Sequence, residues 1–299
     1  MALIIEWITA NKTRINISLT VISAWVFIFG LTSVLSGAQP ERWTRPFPGH
    51  RVIGNLYAVG TYDLGVFLIT SNDGHILINT GLENSTPLIR HNIETLGFKF
   101  EDVKILLITQ AHWDHTAALA EISKLTGAPL WATAGDAPIL EDGGYSDPHF
   151  GGRESFRPVH VSKVITDGEI ITLGQTRIEV LETPGHTQGS CSYVMTALEN
   201  GREYKIIIAN MGTINEGKRL VVNSTYPGVA DDFKETFRKQ KSLDIDIWVA
   251  AHGSQYGLHD KYDEGQAYNP ETFVDPKGFL AEVTRLEKLY LNQISNEQR

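Results

Sequence analysis

Apolar positions follow two rhythms along this chain: short continuous or alternating runs, and longer stretches at helical spacing. Residues 56–60, 65–71 and 75–79 are apolar runs separated by turn residues, with a hairpin signal at Asn72-Asp73-Gly74, which predicts a β-meander. Residues 85–97 predict a helix with Ser85 as cap, Pro87 in the first turn, and Leu88, Ile93 and Leu96 on its apolar side. Residues 103–108 are continuously apolar and predict a buried strand. A helix over 117–125, closed by Gly127, and a strand over 130–133 come next. Residues 135–158 are rich in Gly, Pro and Asp and show no period, which predicts a long loop; such a loop in a folded domain is usually functional. Residues 164–180 alternate around Thr166-Asp167-Gly168, and 190–195 read as another strand.

The second half repeats this logic. Residues 204–209 predict a strand, 229–241 an amphipathic helix, and 245–250 a strand delivering His252. A terminal helix is predicted over 279–294, apolar at Leu280, Val283, Leu286, Leu289 and Leu291. Two halves of similar content, with no linker between them, predict an α/β fold of two sheets packed face to face with helices outside. Residues 17–30 are almost purely apolar, preceded by Lys12 and Arg14 and followed by the small residues Ser36 and Ala38. That order predicts a secretory signal over 1–38, cleaved after Ala38, ahead of a domain over 39–299. A retained membrane anchor is the alternative reading.

Composition adds limits. The formal net charge of -9 and the lack of a long basic run argue against a nucleic-acid partner. Cys191 is the sole cysteine, so no internal disulfide forms, and the thiol is expected to be a small buried strand residue.

The chemistry concentrates in Gln110-Ala111-His112-Trp113-Asp114-His115, which follows a predicted strand. Two later strand ends add Gly185-His186 and His252-Gly253. Imidazole, carboxylate and amide oxygen in one cluster are metal-ligand chemistry, and strand ends converge on one rim in layered α/β folds. Alone, His186 or His252 is as easily a turn histidine bonded to backbone; together with His-x-Asp-His they point to two adjacent metals. Gln110, His112 and His186 are assigned to the first, and Asp114, His115 and His252 to the second. His50, His75, His91, His160 and His259 lack such context and are expected at the surface, and His149 is expected to pack within the long loop.

These residues resemble the metallo-β-lactamase superfamily, whose pattern is His-x-His-x-Asp-His followed by a Gly-His and a late His. The resemblance implies an αββα sandwich with two zinc ions at one edge. Many hydrolases of that superfamily carry a bridging aspartate at a strand end between the later histidines, yet this chain has no acidic residue or cysteine over 204–215. That absence, the Asp147-Pro148-His149-Phe150-Gly151 loop and the Asp167-Gly168-Glu169 turn look like the third β-lactamase subclass. Gln110 in place of the first histidine, with Ile78-Asn79-Thr80-Gly81 and 210–215, looks like its GOB-type branch. The resemblance implies zinc-dependent hydrolysis of the β-lactam amide of a small-molecule antibiotic, in the periplasm, with no stable membrane association once the signal is removed. Asp114 would orient the attacking water. The Thr213 hydroxyl would meet the substrate carboxylate, or else merely pack. Tyr145 and Phe150 would cover the substrate, or else merely anchor their loop. A neutral amide donor at Gln110 implies a weaker first zinc site. A lactone or thioester hydrolase and a non-catalytic zinc-binding domain are the alternatives.

Overall fold

Strand side chains alternate between two faces, and both faces here are apolar. Phe67, Ile69, Ile76, Ile78, Ile105 and Leu107 point into one core, whereas Leu68, Leu77 and Leu106 point into another. The runs read as strands are therefore continuous rather than alternating because they belong to a central layer. A computed structural model describes residues 39–299; the segment read as a secretory signal lies outside the described residues.

The first sheet comprises β1 (His50–Ile53), β2 (Leu56–Ala58), β3 (Phe67–Ser71), β4 (Gly74–Ile78), β5 (Val103–Leu107), β6 (Leu130–Thr133) and β7 (Val161–Ile165), in chain order. β1 to β4 pair antiparallel; β4 to β7 pair parallel. The second sheet holds β8 (Ile170–Leu173), β9 (Thr176–Glu182), β10 (Cys191–Glu199), β11 (Arg202–Ala209) and β12 (Ile247–Ala250), in the order β12-β11-β10-β9-β8. Its one parallel pair is β11 with β12. The helices are α1 (Glu41–Thr44), α2 (Thr86–Thr95), α3 (Trp113–Thr116), α4 (Leu119–Thr126), α5 (Ala137–Asp142), α6 (Val229–Ser242), α7 (Leu258–Lys261) and α8 (Pro276–Glu297).

The larger core lies between the sheets and continues beneath α6 and α8, through Phe233, Phe237, Val283 and Tyr290. The smaller one lies between the first sheet and α2, α4 and α5, through Ile89, Ile93, Leu119, Ile122 and Ile139. Two mixed sheets with helices outside are the expected αββα sandwich. Among the described residues, no helix is long and apolar enough to cross a membrane.

Several sequence expectations change. Within the motif, Trp113–Thr116 forms the one-turn helix α3, which no sequence period marks, with His112 extended before it. The predicted long loop begins with α5, favoured by Pro138 in its first turn. Residues 164–180, which alternate around Thr166-Asp167-Gly168, are divided between the sheets, because that turn carries the chain from the first sheet to the second. On α8 the buried stripe is Phe279, Val283, Leu286 and Tyr290, whereas Leu280, Leu289 and Leu291 are exposed. His50 and His75 are buried, His50 against Tyr262 and Phe273 and His75 against Phe98, so neither is a surface residue. Cys191 is buried in β10 as expected.

Candidate metal centre

The parallel strands deliver their C-terminal ends to one rim, where ligand sites of open α/β sheets form. At that rim β4 ends in Asn79, held at φ 65°, whose side-chain oxygen accepts hydrogen bonds from the Thr109 amide (2.9 Å) and hydroxyl (3.2 Å). Thr80 then donates from its amide (2.8 Å) and hydroxyl (3.1 Å) to the His115 carbonyl. The end of β4 thus grips the motif on both sides. Beyond β9, Gly185 takes a φ of 128°, a conformation open to glycine, with the Phe233 ring where a side chain would stand. That turn presents His186. His252 follows β12 directly.

Three of the four imidazoles, those of His112, His186 and His252, share one arrangement: one ring nitrogen faces inward and the other is held outward. His112 Nδ1 faces His186 Nε2 at 3.1 Å. Outward, His112 Nε2 meets Asp147 Oδ2 at 3.2 Å, and His186 Nδ1 donates to the Thr213 carbonyl at 2.8 Å. His115 Nε2 and His252 Nε2 both face Asp114 Oδ2, at 3.3 and 3.4 Å. The outer nitrogen of His252 lies 3.5 Å from Asp63 Oδ2. Ligand atoms of Asp114, His115 and His252 all fall within 4.8 Å of one another, a group able to hold a metal ion. Adjacent helical residues rarely face each other, yet Asp114 and His115 meet because α3 is a single turn and both side chains reach inward.

Buried polar atoms without partners test whether a metal fits. Gln110 Oε1 and both ring nitrogens of His115 are buried and lack a hydrogen bond. Leaving such groups bare is costly, and a cation would satisfy them. The donor set of amide oxygen, imidazole nitrogens and one carboxylate suits zinc. In the second trio burial lowers His115, whereas Asp114 and His252 favour the charged pair. Burial opposes ionisation of Asp114, yet His115 and His252 keep its carboxyl well below its ordinary range. Burial likewise opposes protonation of His252, yet bonds to Asp114 and Asp63 raise it to about 9. The first trio differs. Burial, with His112 and Lys218 nearby, drives His186 well below the usual imidazole range.

Three carboxylates and one ammonium here were not assigned roles from the sequence. Asp147 holds His112 and caps its own loop by accepting from the amides of His149 (2.6 Å) and Phe150 (3.0 Å). Asp136 accepts from the Thr187 hydroxyl (2.9 Å) and the Gly189 amide (2.8 Å), which fixes the turn after His186; burial raises it to about 6. Buried Lys218 donates to the carbonyls of Gly185 (3.0 Å) and His186 (2.7 Å). Asp63 accepts from the Ser254 amide 191 positions away in sequence, a span that leaves no local pattern. Asp147 carried a signal, the Asp-Pro-His-Phe turn. The Thr213 hydroxyl lies 3.0 Å from His186 Nδ1. Phe150 packs edge-on against His112 and Trp113, at 4.9 and 5.1 Å between ring centroids, whereas Tyr145 is 68% exposed and faces solvent. Trp43 completes the aromatic rim, 5.6 Å from His252 and 6.1 Å from Trp113.

The fold matches known proteins. Residues 66–197 match the family model of the metallo-beta-lactamase superfamily. The structure superposes on the metallo-beta-lactamase GOB-18 from Elizabethkingia meningoseptica with a TM-score of 0.84 and 42% identity, covering 86% of this chain and 96% of that one. It also superposes on the class B3 di-zinc metallo-beta-lactamase LRA-12 from an Alaskan soil metagenome, with a TM-score of 0.83 and 46% identity, over 85% of this chain and 97% of that one. A hydroxyacylglutathione hydrolase from a Bradyrhizobium species is 28% identical over 178 residues, 56% of this chain and 59% of that enzyme. The match thus spans less than two thirds of that curated relative. The chain belongs to the metallo-beta-lactamase superfamily and is a hydrolase, with B3-subclass β-lactamases among its structural neighbours.

Proposed function

We propose that this chain is a zinc-dependent β-lactamase that opens the β-lactam amide with water. The observation that carries the reading is the doubled donor set. His112 and His186 face each other at one point, with buried, unpartnered Gln110 read as their third donor, and Asp114, His115 and His252 gather at a second, with the outer nitrogens of His112, His186 and His252 held by Asp147, Thr213 and Asp63. Such outer partners orient ligand imidazoles and fix their tautomers. Likeness to GOB-18 and LRA-12 over nearly their full lengths supports the choice of substrate.

Zinc held by these donors would supply a water acidic enough to react near neutral pH and a Lewis acid for the amide carbonyl. Asp114, kept ionised by His115 and His252, accepts a hydrogen bond from the attacking water and aims its lone pair at the carbonyl carbon. The carbon–nitrogen bond breaks as the new carbon–oxygen bond forms, and the water's proton ends on the released nitrogen. Trp43, Trp113 and Phe150 wall the approach and limit competing solvent. Thr213 holds His186, and its hydroxyl is also the candidate contact for the substrate carboxylate. Gln110 offers a neutral oxygen to a set that already lacks a carboxylate and lies beside the Lys218 ammonium, so the first site binds zinc more weakly than the second.

The hydroxyacylglutathione hydrolase match favours a second reading, hydrolysis of a thioester. Against it, β11 runs out into Asn210-Met211-Gly212-Thr213 with no carboxylate to bridge two metals. One assay separates the readings: purified protein with a chromogenic cephalosporin and, in parallel, a glutathione thioester, each with and without chelator. Chelator-sensitive turnover of the cephalosporin is expected; turnover of the thioester alone would sink the β-lactamase reading. The segment over 1–38 would direct export to the periplasm, and N-terminal sequencing of protein from the periplasmic fraction is expected to begin at Gln39.

A further inference from the structure

The short helix α1 has no buried residue, yet it touches the metal centre through one carboxylate. Asp63 is 2% exposed. Its Oδ2 accepts from Arg42 Nε (3.0 Å) and Trp43 Nε1 (3.1 Å), and the same oxygen faces His252 Nδ1. Its Oδ1 accepts from the Ser254 amide at 2.8 Å, and its carbonyl accepts from the Gly253 amide at 2.6 Å. The contact is doubled along the backbone. The Asp63 amide donates to the Arg42 carbonyl (3.1 Å), the Tyr62 amide donates to the Arg45 carbonyl (2.9 Å), and Pro46 bridges Thr61. The Trp43 ring also lies beside the His252 ring.

We infer that Arg42 and Trp43 form a latch that positions Asp63, and through it His252, so that docking of the N-terminal segment and metal binding at the second set are coupled. The argument rests on reading Asp114, His115 and His252 as a metal set. A buried carboxylate satisfied by two charge-assisted or indole donors has a fixed rotamer; without them, Oδ2 is free to turn from His252. His252 would then lose the partner that aims Nε2 toward Asp114. Loss of such an outer partner typically weakens a metal site by about 10- to 100-fold. Coupling is reciprocal, so an occupied second set holds the segment in place. Arg42 and Trp43 are positioning residues here, since they act through Asp63.

The test is cobalt(II) titration of the full-length apo protein by calorimetry, in wild type and in the double variant Arg42→Gln, Trp43→Phe. Arg42→Gln removes the charged donor and Trp43→Phe removes the indole donor, while both keep much of the side-chain bulk. His115→Ala serves as a control to mark which macroscopic affinity belongs to the second set. About tenfold weaker binding at that set is expected. First-set affinity and apo thermal midpoint should stay at wild-type values. Protease cleavage within 39–47 should slow on cobalt addition in wild type but not in the double variant. Unchanged second-set affinity overturns the latch. Equal loss at both sets with a lowered apo midpoint also overturns it, because the segment would then be a general prop. Wild-type protein that binds no cobalt would instead sink the metal-set reading itself.

Discussion

Gln110 and His50 carry the sharpest consequences at the scale of single residues. Gln110 Oε1 is buried without a partner, and an amide oxygen is a weaker zinc donor than imidazole. Gln110→His is expected to tighten the first site by on the order of tenfold, about 1.4 kcal/mol. Zinc competition against a chelator measures this, and an unchanged first-site affinity would count against ligation by Gln110. His50 is buried against Tyr262 and Phe273, which pushes its imidazole down to about 4 from an ordinary value of 6.5. The folded protein therefore binds that proton less readily than the unfolded chain. Its contribution is complete above the unfolded value and is lost as pH falls from 6.5 toward 4, by up to about 3 kcal/mol. Wild type and His50→Phe, compared by denaturant melts across that range, should differ in slope, with the variant flatter. Neither Asp63 nor Lys218 was readable as functional from the sequence, because an isolated Asp or Lys looks like surface until its distant partners are known.

At the scale of elements, α8 separates what spacing can tell from what it cannot. Its leucines satisfy more than one helical face, and spacing alone admits a broad one. Packing selects the stripe through Phe279, Val283, Leu286 and Tyr290, because Tyr290 packs against Phe233 and Phe237 of α6. Leu286→Ala is expected to cost about 2–4 kcal/mol by leaving a cavity. Leu289→Ala, on a half-exposed side chain, should stay within about 0.5 kcal/mol. Equal losses in thermal melts would mean that the outer face is also packed. The strands β3, β4 and β5 were legible because burial on both faces leaves continuous apolar runs. The one-turn helix α3 was not, since a turn that short makes no period. The ligand residues stood out because their chemistry is rare, whereas the rotation that brings Asp114 and His115 inward depends on the grip of Asn79 and Thr80.

For the whole molecule, the decisive feature is the crossing between sheets at Thr166-Asp167-Gly168. The sequence showed two halves and the order of their strands. It did not show that this turn separates the sheets, since alternation reads the same on either side of a hairpin or a crossover. Its position divides the candidate donors unevenly: Gln110, His112, Asp114 and His115 lie before it, His186 and His252 after it. Each metal set takes a single imidazole from the later half, so each ion would tie the two halves together as a crosslink. A chain cut at this exposed turn is therefore expected to survive as a two-piece complex whose cohesion depends on metal. Fragments 39–167 and 168–299, produced together, should co-elute on size exclusion with zinc and separate more readily with chelator; indifference to chelator would show that the apolar interface alone keeps them joined.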